Sequence, residues 1–415
     1  MVIPLRNSWQ WVVTDLGGAT TTYLRRIATN KAIAYALNDS AVFTCDVPSD
    51  QRDVNLRGAD NNPYVAHNTR LLYGLRREGG DPPYSCRYSG VVTIVEDEGS
   101  DDEPVTHVTA HDPWMWARSL PVLDGGGNLP GQRGLVYVGK TADFIAKDLI
   151  ANAYAWMVAT YGATSPWSGL PNDGHHYFID IDSGHYDGDY VDSITFTQGT
   201  SVGDAWTQLT KTGTCDIVLA PIYKPHDQPG VLAVLNVYAQ AGAQKPGAVF
   251  GYDAFPHSAL GISRLIDGTQ LENYAQYYSG GLAVTPQVDT PSIDAHGPYW
   301  TQKSYTSPSS SPAVELVAAA ELALRKQGKW TITVDPTPER SPDPFTEYFL
   351  GDQVPLWGGV PTLGVGYTTR VRFSAGEPDG SGGWTNPHRV YAIPITLADD
   401  ETETVTQLLL ADPNA

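Results

Sequence analysis

Two short apolar runs, IVLAPIY at 217–223 and VLAVLNVY at 231–238, stand on either side of the turn-forming heptapeptide KPHDQPG. Runs of this length are strand-sized, and a connection bearing proline and glycine folds the second back toward the first. The same rhythm continues through AGAQKPGAVFGYDAFPHSAL into GISRLIDGTQLENYAQYY. The span 217–281 therefore reads as a β scaffold around which the chain is organised. It carries no nucleophile with its base, no phosphate loop and no set of metal ligands. Gly 41 and Pro 31 among 415 residues extend the turn-rich pattern along the chain, and 23 Tyr with 11 Trp favour sheet faces. The fold class expected is β-rich and mixed α+β, with small barrels or strongly curled sheets and smaller α/β units interleaved.

Charge narrows the partners. Lys and Arg number 26 against 46 Asp and Glu, a net charge of −20. A surface of that sign repels phosphate backbones and argues against ordinary nucleic-acid binding. Solubility alone accounts for it; the sharper reading is an acidic wall along which a polyanion slides without sticking. Cys45, Cys86 and Cys215 are widely spaced and form no CxxC pair, so buried free thiols are expected. No basic region precedes an apolar core in MVIPLRNSWQWVVTDL, so no secretory leader is expected. LIANAYAWMVATYG is too short and too polar to span a bilayer.

Along the chain, KAIAYALNDSAVFTCDV reads as strand, turn, strand, and HNTRLLYGLRR and YSCRYSGVVTIVED as two more. The last pairs with PVTHVTAHDPWMWA in a hairpin whose tip, EDEGSDDE, only water accommodates. Val91, Thr93 and Val95 are expected on one side, with Val105, His107 and Thr109 sharing a face across the pair. TADFIAKDLIANAYAWMVATYG reads as a helix capped by Thr141, with Phe144, Ile145, Leu149, Ala153 and Trp156 or Met157 on its apolar stripe. Ser201 caps a second helix, 202–212. From 283 to 312 a long loop or arm is expected. A third helix follows, with Leu316, Ala319, Ala320, Leu322 and Ala323 as its stripe. The units expected are 1–124, a first β domain; 135–216, a peripheral α+β domain; 217–283, a central β segment; 284–345, linker, helix and strand; and 346–415, a C-terminal β domain, with the true domains discontinuous.

The densest polar tract is 173–192, DGHHYFIDIDSGHYDGDYVD. Asp180, Asp182, Asp187 and Asp189 are its candidates for a cation, since calcium takes several carboxylate oxygens from a turning loop. The EF-hand spacing is absent, and a polar loop edge is the plainer reading. Asp112 beside Trp114 and Trp116, or Glu272 beside Tyr274, has the ingredients of a glycosidase carboxylate near an aromatic platform, but nothing fixes a partner acid. His111 with Asp112 and His257 with Ser258 are isolated dyads. Arg264, in an apolar run, is expected to pair with Asp267 or Glu272, within the chain or across a subunit contact. No catalytic residue and no cofactor are expected. The tryptophan loops SPWSGLPNDG and GSGGWTNPH offer an alternative function, docking of sugar rings.

The order of NTRLLYGLRR, YSCRYSGVVTIVEDE, VTHVTAHDPWMWA, GTSVGDAWTQLTKTG, AQKPGAVFGYDAFPHSALGISRLIDGTQLENY and FTEYFLGDQVPLW resembles the baseplate-hub group of minor tail proteins from long-tailed phages of actinobacteria. The resemblance spans most of the chain. It implies tail-tube-like β domains in a homotrimeric ring at the virion's tail tip, assembled in the host cytoplasm. The partners implied are the distal tail protein, the tape measure protein and other tail-tip proteins. DNA would pass through the ring without specific binding. The early sheet, 23–116, and part of the late sheet would face that channel, with the helix at 141–161 peripheral. The family brings no catalytic residues to this module.

Overall fold

The structure, a computed structural model, describes residues 8–17, 20–24, 28–48, 68, 70–77, 84–98, 105–131, 134–161, 178–224, 230–251, 257–267, 271–279, 282–305, 314–315, 318–319, 322, 329–338, 340–357, 359–361, 370–372, 388–398 and 403–411. The first strands are β1 (Ser8–Asp15), β2 (Thr20–Tyr23), β3 (Thr29–Ala36), β4 (Val42–Pro48), β5 (Arg70–Arg77), β6 (Ser85–Glu98) and β7 (Val105–His111). A helix, α1 (Pro113–Ala117), leads to β8 (Leu135–Thr141), α2 (Ala142–Tyr161), β9 (Ile179–Asp180), β10 (Tyr190–Phe196) and α3 (Val202–Thr210). Then come β11 (Asp216–Pro221), β12 (Ala233–Tyr238), β13 (Phe250–Gly251), β14 (Ala259–Asp267), β15 (Tyr274–Ser279), β16 (Leu282–Ala283) and β17 (Gln287–Val288). After α4 (Thr290–His296) follow β18 (Trp300–Tyr305), β19 (Lys329–Pro336), β20 (Gln353–Val354), β21 (Leu356–Trp357), β22 (Gly359–Pro361) and β23 (Arg370–Arg372). The last strands are β24 (His388–Leu397), β25 (Glu403–Val405) and β26 (Leu408–Ala411).

One 13-stranded sheet dominates, in the order β14-β19-β26-β24-β3-β4-β7-β6-β5-β1-β2, with β20 and β25 also on β24. The fold is mixed α/β and sheet-rich. Strands from the two ends of the chain meet at the β24–β3 ladder, where Ile393 faces Tyr35 and Ile395 faces Ile33. Pro394 lies inside β24 without breaking it. On its other edge β26 pairs as far as Ala392 and β25 begins at Ile395, so the proline falls in the gap between two ladders.

The expected barrel or curled sheet is corrected: the large sheet stays open. Among the described residues its terminal strands, β2 and β14, each pair with a single neighbour, β1 and β19, and no ladder joins them. A barrel hides one apolar face inside itself; here separate layers cover both faces. Trp9, Trp11 and Val13 of β1, Leu72 of β5 and Val92 of β6 enter one core, which Phe250, Phe345, Tyr348, Leu350 and Leu356 cover. Val12, Leu71, Tyr73 and Val91 enter the other, beneath α1, α2, α3 and the β9–β12 strands. Seven of the eight positions in RLLYGLRR are buried for this reason, as in a strand covered on both sides.

The β6–β7 hairpin forms, but a bulge between Val92 and Ile94 changes which side chains face together. Val91 joins the helical side, Val92 and Val95 the opposite core, and Ile94 is exposed. The shared face expected for Val91, Thr93 and Val95 is therefore broken by the inserted residue. On β7 the buried set is Thr106, Val108 and Ala110, leaving Val105, His107 and Thr109 on the outer face. In α2 the buried stripe is Ile145, Ala146, Leu149, Ile150, Ala153 and Tyr154; Phe144 is exposed, under the Lys140 ammonium. Ser201 caps α3 as expected, accepting from Asp204 N at 3.1 Å. Of the described helical residues 314, 315, 318, 319 and 322, Val314, Ala318 and Leu322 are buried while Ala319 is exposed; Leu316, Ala320 and Ala323 lie outside the described residues.

Candidate functional site

The polar tract supplies separate bonds and not one converging site. Asp180 is buried and accepts from Asp182 N at 2.8 Å, Ser183 N at 3.2 Å and Ser183 Oγ at 2.6 Å, closing the turn after β9. Asp182 points outward to Lys147 Nζ at 3.3 Å. Asp187 meets His185 Nε2 at 3.0 Å and accepts from Ala239 N, and these bonds hold its carboxyl below the usual carboxylate range. Asp189 is exposed, and its backbone ties α2 and residue 214 to the loop. Among the described residues no three His, Cys, Asp or Glu side chains are grouped as a metal site. Asp173, His175 and His176 lie outside the described residues.

Arg264 and Asp267 sit on β14 opposite Ile332 and Lys329 of β19; their side chains, and so the expected pairing, lie outside what is described. Glu272 is half-buried in the turn before β15. Asp112 caps α1, accepting from Trp114 N at 3.1 Å and from Ser40 Oγ at 2.8 Å. Burial pushes its carboxyl up to about 7 against these donors. Trp114 and Trp116 are not platforms: the first packs edge-on against Trp206 and the second against Phe178. Ser258 is wholly buried and spends its hydroxyl on Val249 O at 2.7 Å and Gly251 N at 2.9 Å. No reactive hydroxyl remains at the His257–Ser258 pair. The two tryptophan loops lie outside the described residues.

What the fold does bring together is a pair of buried ionic joints. In the first, Arg389 of β24 meets Asp216 at the start of β11, 173 residues away in sequence. Asp216 also accepts from Asn38 Nδ2 at 2.8 Å and Ala241 N at 2.7 Å, while Asn38 Oδ1 accepts from Ile217 N. Arg389 donates onward to Ala241 O and Gly351 O. Nearby, Asp352 accepts from Ala243 N at 2.7 Å and Phe349 N at 2.8 Å. Asn38 reaches this position because the β3–β4 turn carries it at φ 60, a left-handed conformation that asparagine tolerates.

In the second joint, Arg76 of β5 is held by Glu403 of β25, with Nε at 2.6 Å, and by Asp343, with Nη2 at 2.8 Å. Trp9 Nε1 donates to the same Glu403, and the Arg76 guanidinium lies 5.0 Å from the Phe345 ring centre. Burial works against the Arg76 charge, but the bonds and charges of Glu403 and then Asp343 outweigh it and raise its pKa. Paired and fully bonded, such groups specify geometry; stripped of one partner they become costly. A general base, a nucleophile and an open acceptor site are what chemistry would require, and neither joint supplies them. Their signal in the sequence was faint, because Asp216, Arg389, Arg76 and Glu403 are single charges whose partners lie 173 and 327 positions away.

No protein-family model matches the chain, and no curated protein sequence matches it. Its fold, however, is shared with solved tail proteins. The chain superposes on the 43 kDa tail protein of prophage MuSo2 from Shewanella oneidensis with a TM-score of 0.52 at 12% identity, covering 98% of this chain and 99% of that one. A tail protein from Neisseria meningitidis MC58 gives a TM-score of 0.52 at 12% identity, over 98% and 96% of the two chains. Identity this low establishes a common fold and nothing finer.

Proposed function

We propose that the chain is a structural component of a phage tail tip, a hub built as a ring of three copies through which DNA leaves. The observation that carries this reading is the end-to-end match to two tail proteins, one of them from a prophage, nearly the full length of all three chains being shared. A part that bears load needs its ends secured: the Arg76–Glu403 joint fixes a late strand to an early one, and the Arg389–Asp216 joint ties another late strand to the middle of the chain. The contacts assigned to it are the distal tail protein, the tape measure protein and the other tip proteins. No helix among the described residues is long and apolar enough to cross a membrane. The role needs no reaction of its own. Immunogold electron microscopy of virions that carry the protein tests the placement. Label confined to the tail tip is expected; label on the head, along the tube or nowhere on the particle contradicts it.

A further inference from the structure

The small sheet of β15, β16, β17 and β18 has one face covered and one open. Ala275 and Tyr277 of β15 turn inward and pack with Val284, Val314, Ala318 and Leu322. The alternate residues turn the other way. Val288 of β17 stands opposite Tyr274 of β15, which in turn stands beside Trp300 of β18, so three large side chains form one cross-strand row. The next pair on that face is Gln276 beside Gln302, and Tyr278 follows. Trp300 is 64% exposed and Val288 46% exposed.

This row is held rigidly from below. Asn273 is fully buried; its Nδ2 donates to Gly297 O at 2.8 Å and its Oδ1 accepts from Tyr299 N at 2.7 Å. Its backbone also accepts from Asp289 N and donates to Tyr299 O. One residue thus pins the starting points of β15, β18 and the α4 crossover, and with them Tyr274 and Trp300. Leaving a tryptophan this exposed on a fixed sheet costs solubility unless something uses it.

Charge and chemistry choose the occupant. In a chain of net charge −20, the described side chains of this face carry no charge: they are aromatic, aliphatic and amide. Nucleic-acid bases also stack on aromatics, but their phosphates require cations, and the described side chains of this face supply none. A basic peptide would find better partners elsewhere on so acidic a surface. Pyranose rings fit what is present. Their C–H faces lie against aromatic rings, and their hydroxyls exchange hydrogen bonds with neutral amides such as Gln302. From Tyr274 to Tyr278 the strand advances about 13 Å, enough for successive rings of a chain. We infer that the Tyr274–Trp300 face of this sheet binds neutral polysaccharide, with Trp300 and Tyr274 as stacking platforms and Gln302 as the hydrogen-bonding group. This binding is independent of where in a particle the chain sits.

The test is isothermal titration calorimetry of the full chain with maltohexaose, cellohexaose and N-acetylchitohexaose, each at millimolar concentration. At least one is expected to bind. Trp300→Ala and Tyr274→Ala should each weaken that binding at least tenfold, while Phe144→Ala, which removes an exposed aromatic from α2, leaves it unchanged. Unaltered thermal unfolding of the variants shows that the fold is intact. Binding of none of the three sugars, or binding indifferent to both platform substitutions, overturns the inference. So does a change in sedimenting mass on Trp300→Ala without any sugar binding, which would make the face a contact between copies.

Discussion

Asp216 and Arg389 are 4% and 8% exposed, and each is bonded to backbone as well as to the other. Arg389→Met leaves the Asp216 carboxylate buried without its cation and should cost about 3–5 kcal/mol in urea unfolding. Asp112 makes a different prediction, set by pH. Between its ordinary value of 3.8 and its folded value of about 7, the unfolded chain has released a proton that the folded chain keeps. Its contribution to stability therefore falls as pH rises through that window and is level above it. Asn preserves the capping acceptor without titrating. Asp112→Asn should gain on the parent by roughly 1–2 kcal/mol between the two ends of the window, the half-buried position reducing the full effect. His107 runs by its own rule. Hydrogen bonds that its ring donates to Glu98 and then Asp46 raise its pKa above 6.5, so its stabilisation is complete below 6.5 and is lost as pH climbs past the raised value. His107→Gln should flatten that loss in unfolding curves followed upward from about pH 6.

Among the elements, the segment after β12 crosses the one before β20 at close range. Gly242 has φ 86, and a Cβ there would lie 2.2 Å from the carbonyl carbon of Gly351, itself at φ 84. Gly242→Ala should therefore cost about 2 kcal/mol or more by chemical denaturation. Gly247→Ala, where a Cβ meets nothing within 4 Å, should be close to neutral. The same scale shows what could be read from the chain beforehand. The strands β3 to β7, α2 and α3 were legible because their apolar spacing is local, and Ser201 announced its helix by a side chain that bonds three residues on. The span 283–312 misled, since it contains α4 and β18 and is no long loop. TPSIDAH is only seven residues, and WTQKSY shows no apolar alternation, its four central residues all being polar. The bulge in β6 was equally hidden: a single extra residue reverses facing without altering composition.

At the scale of the whole molecule, the open sheet and the ionic joints could not be read from patterning. Both depend on which distant segments cover a face, as 345–356 and α1 to α3 do here. The net charge was legible and has a consequence for the channel role proposed above. The chain should show no retention of double-stranded DNA in filter binding even at low salt, where cationic contacts are strongest. Retention that vanishes with added salt would mean that a basic surface is concentrated somewhere despite the −20 total. The central claim, a tail-tip hub with a tail-protein fold, is tested most directly by cryo-electron microscopy of the tail tip of virions that carry the protein. The account predicts three copies around the tail axis, each fitted by the open 13-stranded sheet with β24 beside β3. A tip reconstruction in which this fold has no density, or in which it stands as a single copy away from the axis, would contradict it.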